Sequence, residues 1–150
     1  MTVIVTRPEP DGSILAARLE TLGYSPVQCP LMSIVFHDGP ALPSHDYQAL
    51  LITSANGLRA LEAASQTARF SATPVIAVGP ASARLARSLG FADVCQAGGN
   101  VDALADLVSR NLRPDAGPLL YITGKSRAGD LKGKLETLSF DVDRVELYQA

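Results

Sequence analysis

Cysteine, aromatic residues and surplus charge are all scarce in this chain. Its 150 residues include two cysteines, no tryptophan and 5% aromatics, and 13 basic against 15 acidic side chains leave a net charge of −2. Cys29 and Cys95 stand far apart, with no CxxC spacing and no neighbouring histidine. Each lies in or beside a strand-like segment and is expected to be reduced, buried and inert. His37 and His45 share no ligand spacing and are read as solvated loop histidines, so no metal is expected. A net charge near zero gives no general attraction to nucleic acid or acidic membranes, so any basic site must be local. No apolar run approaches the roughly 18 residues of a membrane-spanning helix. The opening MTVIVTRPEPDG lacks a leader's basic segment and soon meets Glu9 and Asp11. A cytoplasmic protein is expected.

What is present, at 47% hydrophobic and 19% charged, is the composition of a soluble globular chain long enough for one good core or one domain plus part of another. Strand and helix patterns alternate from end to end. Strands are expected over residues 3–5, 26–30, 47–53, 75–78, 93–95, 119–122 and 142–148. Helices are expected over 13–22, 56–68, 80–89, 101–108 and 128–138, with Gly23 and Gly90 as stops and Asn100 as an N-cap. Strands separated by helices of this length indicate parallel βαβ units. The fold class is therefore α/β, a Rossmann- or flavodoxin-like parallel sheet.

The two halves are unequal. Residues 46–141 supply four strands and four helices, enough for a complete domain, and residues 142–148 can add a fifth strand. Residues 1–31 supply only β-α-β, a partial α/β domain that leaves a sheet edge and part of an apolar face uncovered. Residues 32–45 form a Pro/Gly-rich linker, and 142–150 form a return strand. The partial unit is expected either to pack on the larger domain or to await strands from elsewhere.

In a parallel sheet the carboxyl ends of the strands share one edge, and ligands bind in the crevice outside them. This sequence places Thr6 and Arg7 after the first strand, and Thr53, Ser54 and Asn56 after the third. Gly79, Pro80, Ala81 and Ser82 follow the next. Thr123, Gly124, Lys125, Ser126 and Arg127 follow the strand at 119–122. Taken singly, Thr53, Ser54 and Ser82 are ordinary capping residues, Gly79 and Gly124 ordinary turn glycines, and the cations ordinary solvated charges. Taken together they offer hydroxyls, backbone N–H groups and three cations with no acid, which suits a ligand with several negative charges.

Several chemistries are excluded by what these junctions lack. Gly124-Lys125-Ser126 ends like a phosphate loop, but the glycine needed five positions earlier is Leu119. No GxGxxG follows the first strand, and no nucleophile elbow or Ser-His-Asp arrangement occurs. The acidic pair and phosphorylatable aspartate of a receiver domain are replaced by Thr6-Arg7 and Gly79. Asp102, Asp106 and the other acids fall on helix faces or in loops and are read as solvated charge.

Four segments, in order, carry a resemblance. VIVTRPEPDGSILAARLETLGYSPVQCPLMSI resembles the opening of uroporphyrinogen-III synthases, and LLITSANGLRAL their Thr-Ser-Ala-Asn junction. VIAVGPASARLARSLGF is similar to their Ala-Val-Gly strand and hydroxyl-bearing helix. LLYITGKSRAGDLKGKLETLSFDVDRVELYQA is similar to the segment that runs into their last strand. The resemblance spans nearly the whole chain. Ser139 departs from it, standing where the family usually has a helix-ending glycine.

The resemblance implies a monomeric, cofactor-independent, two-domain lyase of tetrapyrrole biosynthesis. It would convert hydroxymethylbilane to uroporphyrinogen III by loss of water, ring closure and inversion of the last pyrrole. It also implies a first domain completed by a returning half, with residues 32–37 and 146–150 as a two-stranded linker. Carried over by position, Ser54 and Ser82 are hydroxyls facing the cleft. Arg7, Thr53, Asn56, Gly79, Gly124 and Arg127 are further substrate-binding positions, with Arg127 a safer match than Lys125. Tyr148 corresponds to a tyrosine that assists departure of the hydroxyl, since a phenol keeps its proton at neutral pH and can donate it. The competing readings are a non-catalytic or truncated tetrapyrrole-binding module and a generic nucleotide binder.

Overall fold

Every apolar run picked out by pattern becomes a strand of a parallel sheet. A computed structural model describes residues 1–38, 41–126 and 129–150, and the chain divides into two compact units, Met1–Val35 with Ala150, and Phe36–Gln149.

The first unit is β1 (Thr2–Val5), α1 (Asp11–Thr21) and β2 (Ser25–Gln28). The two strands pair in parallel with Ile4 opposite Val27. Asp11 in the first turn complements the helix dipole, and Gly23 leaves the helix at φ +85°. Val5 and Ala16 are buried, whereas Ile4 and Val27 are 66% and 51% exposed.

The unit boundary falls within β3 (Val35–Phe36), and the second unit continues through β4 (Ala49–Ile52), α2 (Ala55–Ala63), β5 (Val75–Ala77), α3 (Pro80–Ser88), β6 (Val94–Gln96), α4 (Val101–Asn111), β7 (Leu119–Gly124), α5 (Leu131–Thr137) and β8 (Val142–Gln149). Six strands form one sheet in the order β3-β8-β7-β4-β5-β6. The pairings β8·β7, β7·β4, β4·β5 and β5·β6 are parallel. All of β4 and β7 is buried, which is why these strands read as continuous apolar runs rather than alternating ones. On one face Ala49, Leu51, Leu119, Tyr121 and Val142 pack with Leu104, Val108, Leu131 and Leu135 of α4 and α5. On the other, Gly57 of α2 lies so close to β7 that a Cβ there would be 3.2 Å from Ile122 Cγ2. Each fully buried leucine contributes about 1.5–3 kcal/mol of transfer free energy. Among the described residues no helix is long and apolar enough to cross a membrane.

Three expectations need correction. The helix expected over 56–68 stops at Ala63. Gln66 N–H bonds back to Leu61 O and Ser65 takes φ +56°, a helix-ending turn that brings Phe70 into the core through a 3-10 turn at Ala68–Phe70. The helix expected over 128–138 begins at Leu131, because Asp130 Oδ1 accepts from Gly133 N–H and fixes the cap there; Ala128 lies outside the described residues. Lys125 and Ser126 therefore do not open a helix. Finally, Cys29 and Cys95 are free but exposed rather than buried. Cys95 sits on β6, an edge strand that pairs on one side alone.

Candidate functional site

Strand order reverses between β4 and β7: from β4 the chain winds outward through β5 and β6, then crosses back to β7 and β8. At such a switch point the connections leave to opposite faces and a crevice opens at the strand ends. A cleft of about 550 Å³ lies there.

Its walls come from four junctions. Thr53 and Ser54 follow β4, Val78 follows β5, Gly99 to Asp102 lead from β6 into α4, and Thr123 stands next to last in β7 with Ser126 and Gly129 beyond. Tyr148 of β8 and Lys134 of α5 complete the lining. Local chemistry holds each in place. Ser54 is the N-cap of α2, its Oγ accepting from Asn56 N–H at 3.3 Å. Asn100 caps α4, its Oδ1 accepting from Ala103 N–H at 2.8 Å. Gly99, at φ +93°, makes the turn that lets α4 begin at the cleft. Thr123 is buried and donates its hydroxyl to Gly124 O at 3.2 Å.

Tyr148 lies directly against Gly124, its register partner on β7. A Cβ on Gly124 would sit 2.5 Å from Tyr148 Cε2 and 2.8 Å from Cζ. The ring thus occupies the space that glycine leaves, and Lys125 N–H bonds to Tyr148 O at 3.0 Å, locking the two strand ends together. The Tyr148 hydroxyl makes no hydrogen bond among the described residues.

Of the residues singled out from sequence, Thr53, Ser54, Thr123, Ser126 and Tyr148 come together in the lining, with Gly124 beneath the tyrosine. Asn56, Gly79 and Ser82 are outside the lining. Asn56 Oδ1 accepts from Arg59 Nη1 at 2.9 Å, Gly79 is the N-cap of α3, and Ser82 is buried within that helix at 6% exposure. Arg7 belongs to the first unit, where it is exposed two residues past β1. Arg127 lies outside the described residues.

Sequence reading missed Asn100 as a lining residue, and with it Asp102 and Lys134. Lys134 is the sole cation of the described lining, and its ammonium is paired with the Asp102 carboxylate. The signal available was the Gly98-Gly99-Asn100 turn at the end of β6, a further strand-end junction with a helix start. The described lining holds no histidine or cysteine, and among the described residues no group of three or more His, Cys, Asp or Glu is placed to hold a metal. These groups can position an anionic ligand by hydroxyls, an ammonium and the start of α4, and can donate a proton through a phenol.

A family model described as uroporphyrinogen-III synthase HemD matches residues 13–150. The uroporphyrinogen-III synthetase of Helicobacter pylori is similar in structure, with a TM-score of 0.64 at 18% identity over 99% of this chain and 60% of that one. A mutant uroporphyrinogen III synthase from the extremely thermophilic bacterium Thermus thermophilus gives 0.61 at 16% identity, covering 99% and 62%. The wild-type form from that bacterium gives 0.57 at 17%, covering 99% and 61%. The chain therefore spans 60–62% of the length of these structures. No curated protein matches it.

Proposed function

The chain belongs to the uroporphyrinogen-III synthase family, and from that premise we propose that its cleft holds hydroxymethylbilane during conversion to uroporphyrinogen III. Water is lost as the ring closes and the last pyrrole inverts. The observation that carries this reading is the convergence of Thr53, Ser54, Thr123, Lys134 and Tyr148 on one crevice at the switch point. The substrate bears acetate and propionate groups on each pyrrole, and hydroxyls with an ammonium suit those carboxylates. Tyr148 donates to the departing hydroxyl, and the remaining groups keep the flexible chain in a closing geometry, a contribution that needs no nucleophile.

In this reading Arg7, Asn56, Gly79, Ser82, Gly124 and Arg127 are further substrate-binding or supporting positions. The protein works as a cytoplasmic monomer without cofactor, and residues 1–31 are part of a domain joined by strands at 32–45 and 142–150 to the domain at 46–141. A second reading is a tetrapyrrole-binding module without catalysis. The isomer ratio of uroporphyrinogen formed from fresh hydroxymethylbilane, with and without the purified chain, separates the two. Enrichment of isomer III establishes the enzyme. Isomer I alone, with porphyrinogen bound, leaves the module.

A further inference from the structure

Lys134 and Asp102 face each other at the cleft from different helices, and neither is needed there for packing. Their side chains are 46% and 71% exposed. An ion pair so exposed contributes on the order of 0–1 kcal/mol, because water solvates both charges well when it opens. The pair is therefore exchangeable: another carboxylate can displace Asp102 from the ammonium at little cost to the fold. Asp102 is also placed to retreat without penalty. It sits in the first turn of α4, where the helix dipole stabilises a carboxylate whether or not a lysine is beside it.

We propose that Asp102 is an internal stand-in for a ligand carboxylate, occupying Lys134 when the cleft is empty and yielding it when a polycarboxylate enters. Lys134 is then a specificity-determining residue that reads carboxylate substituents. Asp102 sets a threshold: a ligand with a single weak carboxylate does not displace it, and one with several does. The proposal rests on the reading of the cleft as a polycarboxylate site. It goes beyond that reading by naming the receptor for one carboxylate and the group that competes for it.

The test uses the full chain and benzenehexacarboxylate, titrated by calorimetry at low salt, where exposed charges are least screened. Asp102→Asn, which keeps the shape of the side chain, removes the competitor, and binding tightens by about two- to fivefold, within the roughly 1 kcal/mol that the exposed pair contributes. Lys134→Met weakens binding by at least about tenfold, and Lys134→Arg restores it. Melting temperatures of the three variants, recorded alongside, show that each remains folded. Unchanged or weakened binding in Asp102→Asn overturns the proposal, as does wild-type affinity in Lys134→Met or failure of both wild type and Asp102→Asn to bind. Since the probe is not a tetrapyrrole, competition at Lys134 is read even if the chain makes no isomer III, and loss of one result leaves the other standing.

Discussion

Gly124 and Tyr148 are register partners on neighbouring parallel strands, and the absence of a side chain on the first makes the resting place of the ring of the second. An added Cβ would overlap the ring at 2.5 Å, and the strand backbone on either side is pinned by pairing and by the Lys125–Tyr148 hydrogen bond. Gly124→Ala must therefore expel the ring from its seat or strain the sheet, at about 1–3 kcal/mol. The melting temperature falls, and on the proposed function isomer III formation falls with it. Combining Gly124→Ala with Tyr148→Ala removes the clash, so the double variant is less destabilised than the sum of the singles. Strict additivity would show that the two residues do not compete for this space.

Tyr148→Phe keeps the ring and loses the hydroxyl. Because that hydroxyl has no partner among the described residues, stability changes by less than about 0.5 kcal/mol. Turnover should fall by about 10²-fold or more, the scale of general acid catalysis, while affinity for uroporphyrinogen is nearly kept. A Phe variant as active as the wild type removes Tyr148 from the chemistry.

The architecture was legible because its central strands are buried on both faces. Ala49-Leu50-Leu51-Ile52 is a four-residue run with no exposed side chain, and no helical or solvent-facing period competes with it. Asn100 was legible as a cap because capping is a local event. What escaped depends on elements distant in sequence. Asp102 and Lys134 each look like ordinary helix-surface charge, and only the packing of α4 beside α5 across the strand ends pairs them. The exposure of Cys95 is hidden for a similar reason: a three-residue strand gives no local sign of whether it is central or at an edge.

At the other end of the sheet, the Tyr47 hydroxyl donates to Asp143 Oδ2 at 2.6 Å, linking the start of β4 to β8. Burial raises the Tyr47 phenol well above its ordinary value, and the hydrogen bond and negative charge of Asp143 push it the same way; Asp141 adds to this and Arg69 opposes it. The folded state thus holds this proton more tightly than the unfolded chain. Its contribution is complete below the unfolded phenol value of about 10 and is lost progressively as pH rises beyond it. Tyr47→Phe should be less stable than wild type by about 1 kcal/mol at neutral pH. That gap should narrow above about pH 10. Denaturant midpoints across this range give the comparison, and a constant gap would mean that Tyr47 is not the group titrating.

Ser139 offers a substitution expected to strengthen the protein. It follows α5 at φ +69°, with Ser139 N–H bonded to Glu136 O at 2.9 Å and Phe140 N–H to Leu135 O at 3.0 Å. This is the helix-ending turn in which glycine is favoured, because any Cβ is crowded in the left-handed region. The turn has to be kept, since Phe140 is buried against the core immediately after it. Serine therefore bears a conformational cost of about 1–3 kcal/mol. Ser139→Gly relieves it while giving back about 0.5–1 kcal/mol in unfolded-state entropy. The expected net gain is about 1 kcal/mol, a rise of about 2–4 °C in melting temperature for a chain of this size. Ser139→Ala keeps the Cβ without the hydroxyl and should give no rise. Equal melting temperatures for Gly and Ser would mean that the serine hydroxyl offsets the strain.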